Sequence, residues 1–416
     1  MKGNKSRMPL WALLVFGLLL LVACEDGSSP ATEDPASYHD PGRGPFEEVA
    51  TEDLVGRCGL DPDILASIDA SINYPYAIVR YGLLCHEHYP DDAEAGPEVM
   101  SENFSVTKTM AGAVFGRAVK LSAELEYPLR DTDRMDSWVD DITFNPDARV
   151  AHVLGMVAHN ESLEFGSREF SYDTAGNIQI NKLSEVIEAV IAQDPEEFEG
   201  VQTSAEFAER FFFEPLGMDH SEWSGYYFAF GWISNLRDMA RLGLLLVHDG
   251  VYDNQAILSE DWVYKMTHPS FEDANTGYGY LTWLGASNFY KVPGGYPYYL
   301  FEPFGECEPP ALWPEYPHGL SDSPDCGYRG VYPCEQDFDV GVFSANGGVG
   351  NIILGHPALD LVLVAKDAEG GLFISGLWDL IRPALVEHDP VYQGDMEAFC
   401  RDYAAGAYAP DLIPLP

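Results

Sequence analysis

The sequence predicts an α+β fold, in which an antiparallel sheet from the N- and C-terminal segments is flanked by helices and carries an inserted, mainly helical lobe. Two observations support this prediction. Strand-type stretches lie near both ends of the chain, at residues 76–89, 279–284, 350–355 and 359–365, whereas residues 120–210 are mainly helical and loop-rich. We therefore expect the two ends of the chain to complete one sheet.

The N-terminus has the pattern of an export signal. Three basic residues lie among the first seven, an apolar run covers residues 8–23, and small residues precede Cys24 as in a bacterial lipobox. A plain transmembrane anchor is the alternative, but the apolar run is short for a membrane span. We therefore expect residues 1–23 to be removed and Cys24 to carry lipid. This makes the protein an exported lipoprotein of the bacterial cell envelope, on the periplasmic side or at the cell surface.

The segment after Cys24 differs in composition from the rest of the chain. Residues 24–48 are acidic and Pro-rich, which is typical of a disordered tether. Residues 49–416 then form a single expected domain. At its start, residues 60–74 predict a helix, and residues 76–89 predict two strands joined by a turn at residues 81–82.

A buried helix is predicted to begin at Ser105. Apolar residues recur at helical spacing after it, at Met110, Val114, Phe115 and Ala118. Further helices are predicted at residues 150–158, 178–193, 237–248 and 371–386. The helix at 237–248 is expected to end at a turn, Asp249-Gly250.

Ser105 and Lys108 form a Ser-x-x-Lys pattern at the start of that helix. Three residues span about one helical turn, so the lysine amine is expected beneath the serine hydroxyl. A serine alcohol needs a base to become a good nucleophile, and a desolvated lysine can be neutral enough to act as one. The alternative interpretation is a serine that caps the helix and a lysine in solvent.

The composition is strongly acidic. The 416 residues include 23 basic and 67 acidic residues, for a net charge of −44. Removal of residues 1–23 would remove three basic residues and no acidic ones, which gives 20 − 67 = −47. Such a surface repels nucleic acid and anionic lipid, so we expect neither as a binding partner. The acidic residues are scattered along the chain, which is typical of a solvated surface.

The cysteine pattern fits an exported protein. Apart from Cys24 there are six, an even number that allows up to three disulfides in fifteen pairings, and the sequence does not choose among them. They are Cys58, Cys85, Cys307, Cys326, Cys334 and Cys400. No cysteine or histidine cluster has zinc-ligand spacing. Residues 131–136 weakly resemble a calcium-binding loop, but they lack the glycine and the closing glutamate of such a loop. We expect no metal site.

Several separate stretches, in sequence order, resemble the serine β-lactamase-related hydrolases. This family includes class C β-lactamases, D-alanyl-D-alanine carboxypeptidases, class VIII-type esterases and 6-aminohexanoate-oligomer hydrolases. The stretches are residues 104–108, 170–177, 213–218, 231–241, 346–351 and 356–362. The resemblance covers most of residues 60–390 and implies a β-lactamase/transpeptidase-like fold.

The resemblance also implies site residues beyond Ser105 and Lys108. Tyr172 matches the family's second element, a phenol that can relay protons between serine, water and leaving group. Thr174 stands where class C β-lactamases have asparagine, and can still donate one hydrogen bond. The family's third element is the Gly-rich start of a late strand, which carries Lys-Thr-Gly in β-lactamases. Here Asn346-Gly347-Gly348 matches it, and an alternative alignment places Gly348-Val349-Gly350 at the same positions. Backbone N–H groups there, including that of Val349, would complete an oxyanion hole.

Asn346 replaces the cationic residue of that third element, so a substrate carboxylate would have one partner fewer. This favours carboxylic esters or neutral amides as substrates. A second departure is the long Tyr-, Pro- and Gly-rich insert at residues 285–338, which holds three cysteines. It is expected to form either a wall or a lid of the substrate pocket, or else a disulfide-stapled surface decoration.

The leading functional prediction is a serine hydrolase that acts through an acyl-enzyme on a small-molecule or cell-envelope ester or amide, without a cofactor. Two alternatives stay open. One is a β-lactamase or a D-alanyl-D-alanine carboxypeptidase. The other is a catalytically silent binding or sensor lipoprotein of the same fold, which the departures at Thr174 and Asn346 leave open.

Overall fold

The computed structural model describes most of residues 38–284, the strands at 301–304 and 327–330, and residues 342–368 and 374–386. Within these ranges, residues 91–94, 141, 165–166, 269, 272–273 and 276 are excluded. The predicted signal peptide, Cys24, residues 25–37 of the tether, most of the insert and the last four cysteines lie outside the described residues. Among the described residues, no helix is long and apolar enough to cross a membrane.

The elements follow one another in a mixed order along the chain. The strands are β1 Tyr76–Arg80, β2 Leu83–His88, β3 Ser101–Glu102, β4 Ser221–Trp223, β5 Trp232–Ser234, β6 Val251–Tyr252, β7 Gln255–Ala256, β8 Trp283–Leu284, β9 Phe301–Phe304, β10 Gly327–Gly330, β11 Phe343–Gly347, β12 Asn351–His356 and β13 Leu361–Ala365. The α-helices are α1 Leu54–Cys58, α2 Pro62–Asp69, α3 Val106–Leu121, α4 Val150–Leu154, α5 Thr174–Ile191, α6 Ser204–Ala208, α7 Glu214–Leu216, α8 Leu236–Val247, α9 Glu260–Thr267 and α10 Ile374–Ile381.

A six-stranded antiparallel sheet joins the two ends of the described chain, in the order β2-β1-β13-β12-β11-β8. The central pair, β1 and β13, runs from Tyr76 opposite Ala365 to Arg80 opposite Leu361. The middle of the chain supplies most of the helices. The predicted fold class is therefore confirmed.

Helices cover both faces of this sheet. Alternate residues of β1 point to opposite faces, so that Ala77 and Val79 join a core with α3, α5 and α8, and Tyr76 and Ile78 join a core with α2 and α10. Helix α8 lies very close to the sheet. A Cβ atom added to Gly243 would come within 2.5 Å of Val362 Cγ1, so a glycine permits this approach.

One predicted strand is largely wrong. The stretch 279–284 forms strand only at Trp283–Leu284, because the chain turns just before it. Leu281 has a φ of 53°, and the Gly279 N–H donates to the Thr282 carbonyl across 2.9 Å. A left-handed residue inside an apolar run leaves no trace in the hydrophobic pattern. By contrast, the turn predicted at residues 81–82 is present, with positive φ at both Tyr81 and Gly82.

A disulfide joins Cys58 to Cys85 and so links α1 to β2. Their Cα atoms are 6.1 Å apart, and both side chains are buried in the core beneath the sheet. This is one of the up to three disulfides that the six cysteines could form, and the other four cysteines lie outside the described residues.

Candidate active site

Ser105 lies immediately before α3, at the helix N-cap, but its hydroxyl makes no capping bond. The helix itself is enclosed, with buried residues on all sides over its first three turns. A hydroxyl that does not cap its own helix can form hydrogen bonds with other groups. The alternative interpretation, a capping serine beside a solvated lysine, is therefore wrong.

Lys108 is the principal partner of that hydroxyl. Its Nζ lies 3.0 Å from Ser105 Oγ and donates to the Ala229 carbonyl across 3.1 Å. The side chain is only 2% exposed. Burial lowers the pKa of Lys108 to about 7, because the charged ammonium loses its hydration. Near neutral pH a large share of this amine is unprotonated and can take the serine proton.

Tyr172 brings a phenol to the same place. Its ring centroid is 4.7 Å from Lys108 Nζ. Burial raises the pKa of Tyr172, and hydrogen bonds from the Ser105 hydroxyl and the Trp283 indole act in the opposite direction. The phenol is therefore protonated at neutral pH. The structure thus brings the alcohol, the amine and the phenol together, while their catalytic roles stay predictions.

Three aromatic rings pack against Tyr172. Its centroid lies 6.2 Å from that of Phe170, 6.1 Å from that of Tyr278 and 5.0 Å from that of Trp283. Tyr278 and Trp283 also pack edge to face, with centroids 4.8 Å apart. Such contacts fix the ring plane and so the direction of the hydroxyl group.

The end of β11 lies beside the segment that carries Ser105. A Cβ atom on Gly347 would meet the Asn103 carbonyl at 2.3 Å, and one on Gly348 would lie 3.4 Å from the Phe104 ring. Gly350 instead packs against Ala368. These contacts favour the register that places Asn346-Gly347-Gly348, rather than Gly348-Val349-Gly350, at the third element.

The side chains next to these glycines differ in exposure. Asn346 Nδ2 donates to Ser344 Oγ across 2.8 Å, whereas its Oδ1 is buried and has no hydrogen-bond partner among the described residues. Val349 has a φ of 57° and is 55% exposed in the turn between β11 and β12. An unsatisfied amide oxygen next to Gly347 is an acceptor that a substrate donor could use.

Thr174 occupies a different setting from the other predicted site residues. It is exposed and begins α5, whose N-cap Asp173 accepts from the Gly176 N–H across 3.0 Å and from the Ser171 hydroxyl across 2.8 Å. Among the described residues, Thr174 makes no hydrogen bond to Ser105 or Lys108. Its role in substrate binding stays a prediction.

Sequence reasoning missed two groups that support the site. The Ala229 carbonyl binds Lys108, and a backbone acceptor leaves no side-chain signal in the sequence. Trp283 contacts Tyr172, but an aromatic residue in an apolar strand is far more often core than site. Among the described residues, no group of three or more His, Cys, Asp or Glu side chains could hold a metal ion.

No protein-family model and no curated protein matches the sequence. Solved structures do match in three dimensions. One is a candidate β-lactamase from Bacteroides dorei, with a TM-score of 0.51, 14% identity, and coverage of 78% of this chain and 98% of the other. Others are a penicillin-binding protein from Bacillus halodurans (TM-score 0.46, 14% identity, 77% and 98% coverage) and EstCE1, a hydrolase with promiscuous acyltransferase activity (0.46, 13%, 81% and 99%).

Identities this low are informative about the fold alone. The match to the Bacteroides structure extends over nearly the whole of that protein, so the similarity concerns the complete domain rather than one motif. Together with the antiparallel sheet and the helix that begins after Ser105, it establishes the architecture. The chain therefore has a β-lactamase-like fold.

Proposed function

We propose that this protein is a serine hydrolase that acts on a carboxylic ester or neutral amide through an acyl-enzyme. The observation that carries the proposal is the pair formed by Ser105 Oγ and Lys108 Nζ, 3.0 Å apart at the mouth of a buried helix. Because burial lowers the pKa of Lys108 to about 7, a nucleophile and a base of suitable strength are in contact.

Acylation begins when Ser105 Oγ attacks the substrate carbonyl carbon. The serine proton moves to the neutral amine of Lys108 as the new C–O bond forms. The bond to the leaving group then breaks, and the leaving oxygen or nitrogen receives a proton through the Tyr172 phenol, which lies over Lys108. The products of this half-reaction are a free alcohol or amine and an ester at Ser105.

The negative charge on the carbonyl oxygen needs donors that are already in place. Candidates are the backbone N–H of Ser105 at the start of α3 and backbone N–H groups of residues 347–349, next to it. In deacylation, water attacks the acyl carbon while the neutral amine of Lys108 takes its proton, with the Tyr172 phenol as a relay that gives up one proton for each it receives, and Ser105 leaves with the proton that Lys108 took. This restores the starting state.

The substrate class follows from the charges near the site. Asn346 is neutral where a cation would bind a substrate carboxylate, and the chain as a whole is strongly acidic. Neutral esters or amides are therefore favoured over β-lactams and peptide C-termini. A lipid anchor at Cys24 would place the enzyme in the cell envelope, where small molecules or envelope components carry such groups.

The test is a comparison of three substrate types with the wild type and the variant Ser105→Ala. We expect hydrolysis of short p-nitrophenyl esters, at least about tenfold slower turnover of nitrocefin, little D-alanine release, and no turnover by Ser105→Ala. Efficient nitrocefin hydrolysis or D-alanine release would instead identify a β-lactamase or carboxypeptidase. A folded protein that turns over none of these substrates and accepts no acylating probe would support the silent binding or sensor alternative.

A further inference from the structure

One carboxylate oxygen binds two backbone segments that meet at the candidate site. Glu102 Oε1 accepts a hydrogen bond from the Phe104 N–H across 3.0 Å and another from the Gly231 N–H across 2.8 Å. These are the segment that carries the serine and the segment that follows the 226–230 loop.

Both donors have left-handed backbones. Gly231 has a φ of 100°, which a glycine adopts freely, but Phe104 has a φ of 49°, which is unfavourable for a bulky side chain. Phe104 directly precedes Ser105, and its side chain is 39% exposed, so burial of the ring does not explain the conformation. The bond to Glu102 is a direct restraint on it. Strained backbone of this kind persists where surrounding contacts impose it.

The second segment controls the lysine. Gly231 lies two residues after Ala229, whose carbonyl accepts from Lys108 Nζ across 3.1 Å. A shift of this segment would move that carbonyl and with it the amine. Glu102 Oε1 therefore connects the backbone before the nucleophile to the backbone that holds the base.

Glu102 is itself well fixed. Its backbone pairs with Ile233 in the sheet of β3, β5 and β4, and its carbonyl accepts from Asn351 Nδ2 across 2.9 Å. Asn351 begins β12 of the large sheet. The backbone of Glu102 is thus anchored to both sheets, and its carboxylate binds the two segments.

We propose that Glu102 is a positioning residue, which sets the relative placement of Ser105 and Lys108 by accepting the Phe104 and Gly231 N–H groups. It acts through these two backbones and does not touch the reacting atoms. The inference rests on the proposed function, since it assigns a purpose to the geometry of that same site. It requires an acceptor oxygen at residue 102 rather than a negative charge, because a single oxygen serves both donors.

The experiment measures the rate at which a fluorophosphonate labels Ser105 in the variants Glu102→Ala and Glu102→Gln. We expect Glu102→Ala to label about tenfold or more slowly, because small displacements at a reacting pair are costly. Glu102→Gln keeps an acceptor oxygen and should stay within about threefold of the wild type. Glu222→Ala is the matched control. Glu222 is exposed and lies on β4, where it pairs with the same Ile233 of β5 that Glu102 pairs with from β3.

A second substitution separates positioning from general destabilisation. Phe104→Gly removes the cost of the left-handed conformation, so Glu102→Ala should slow labelling less in that background than in the wild type, by about threefold or more. Equal losses in the two backgrounds would overturn the inference. So would a Glu102→Gln variant as slow as Glu102→Ala, or a Glu102→Ala variant that labels at the wild-type rate.

Amide hydrogen exchange makes this test independent of the proposed function. In Glu102→Ala the Phe104 and Gly231 amides should exchange about tenfold or more faster than in the wild type and in Glu222→Ala. If the wild type is not labelled at all, the proposed function fails and the exchange rates still decide whether Glu102 holds both amides. Unchanged exchange of both amides overturns the inference whatever the labelling shows.

Discussion

At the scale of single residues, the environment of one amine determines the chemistry. Lys108 is almost fully buried, and the contacts described for its Nζ are with a hydroxyl, a backbone carbonyl and the face of an aromatic ring. None of these fully replaces the hydration of an ammonium ion, so the neutral amine is favoured and the pKa falls to about 7. A lysine of this kind is a base at neutral pH.

The pH dependence of labelling tests this directly. Below the pKa of Lys108 only the neutral fraction acts, so the fluorophosphonate labelling rate should rise about tenfold per pH unit at acidic pH and level off above about pH 7. The rise comes with increasing pH because only the unprotonated amine is a base, and burial moves the midpoint of the rise from the ordinary lysine pKa down to about 7. Labelling rates between pH 5 and 9 provide the measurement, with a probe of constant reactivity over that range. A rate that still rises about tenfold per pH unit up to pH 9 would contradict a buried neutral amine.

The site residues could be predicted from the sequence to different extents. Periodicity alone placed Lys108 one turn after Ser105, since local spacing on a helix is fixed by its geometry. Tyr172 required resemblance to a family, because nothing local links residue 172 to residue 105. Glu102 and the Ala229 carbonyl were missed, since their role arises from backbone groups that any residue has.

At the scale of elements, close packing places α8 against the sheet. Gly243 faces Val362 and Ile353, and an added Cβ atom would lie 2.5 Å from Val362 Cγ1 and 2.9 Å from Ile353 Cγ2. Branched side chains in a core cannot retreat without displacing their own neighbours. A methyl group at position 243 must therefore push helix and sheet apart.

We expect Gly243→Ala to lower the free energy of unfolding by about 1–3 kcal/mol, as overpacked core substitutions do. Urea denaturation followed by tryptophan fluorescence measures this. Gly44→Ala is the control, because a Cβ atom there meets nothing within 4 Å and should change the free energy of unfolding by less than about 0.5 kcal/mol. A stability of Gly243→Ala equal to that of the control would show that α8 lies farther from the sheet.

Element prediction succeeded where the local pattern and the tertiary structure agree. The strands around residues 81–82 and the helix after Ser105 have patterns that their packing reinforces. The strand predicted at 279–284 failed at Leu281, because tertiary contacts impose a left-handed turn on an apolar run. The pairing of β1 with β13 joins residues far apart in sequence. The sequence therefore predicts that the two ends of the chain share a sheet, but it does not predict which residues pair across the two strands.

At the scale of the whole molecule, the proposed function leads us to expect that net charge distinguishes anionic from neutral substrates. A net charge of −44 repels anions over distances set by the ionic strength. The Debye length falls from about 30 Å at 0.01 M salt to about 3 Å at 1 M, so added salt screens this repulsion.

We therefore expect kcat/KM for an anionic p-nitrophenyl ester to increase about threefold or more between about 0.01 and 1 M sodium chloride. The value for a neutral p-nitrophenyl ester of similar size should change by less than about twofold, which makes it the control. Steady-state kinetics with the two esters at fixed pH gives both values. A decrease for the anionic ester would indicate a cationic surface near the site and would contradict the preference for neutral substrates.

The convergence of residues 105, 108 and 172 is the central claim, and one measurement tests it most directly. A fluorophosphonate is added to the wild type, and the modified residue is identified by mass spectrometry, with Ser105→Ala, Lys108→Met and Tyr172→Phe alongside. The account predicts one adduct, on Ser105, that is absent from Ser105→Ala and forms about a hundredfold or more slowly in the other two variants. A folded wild type with no adduct, or with its adduct on another residue, would contradict it.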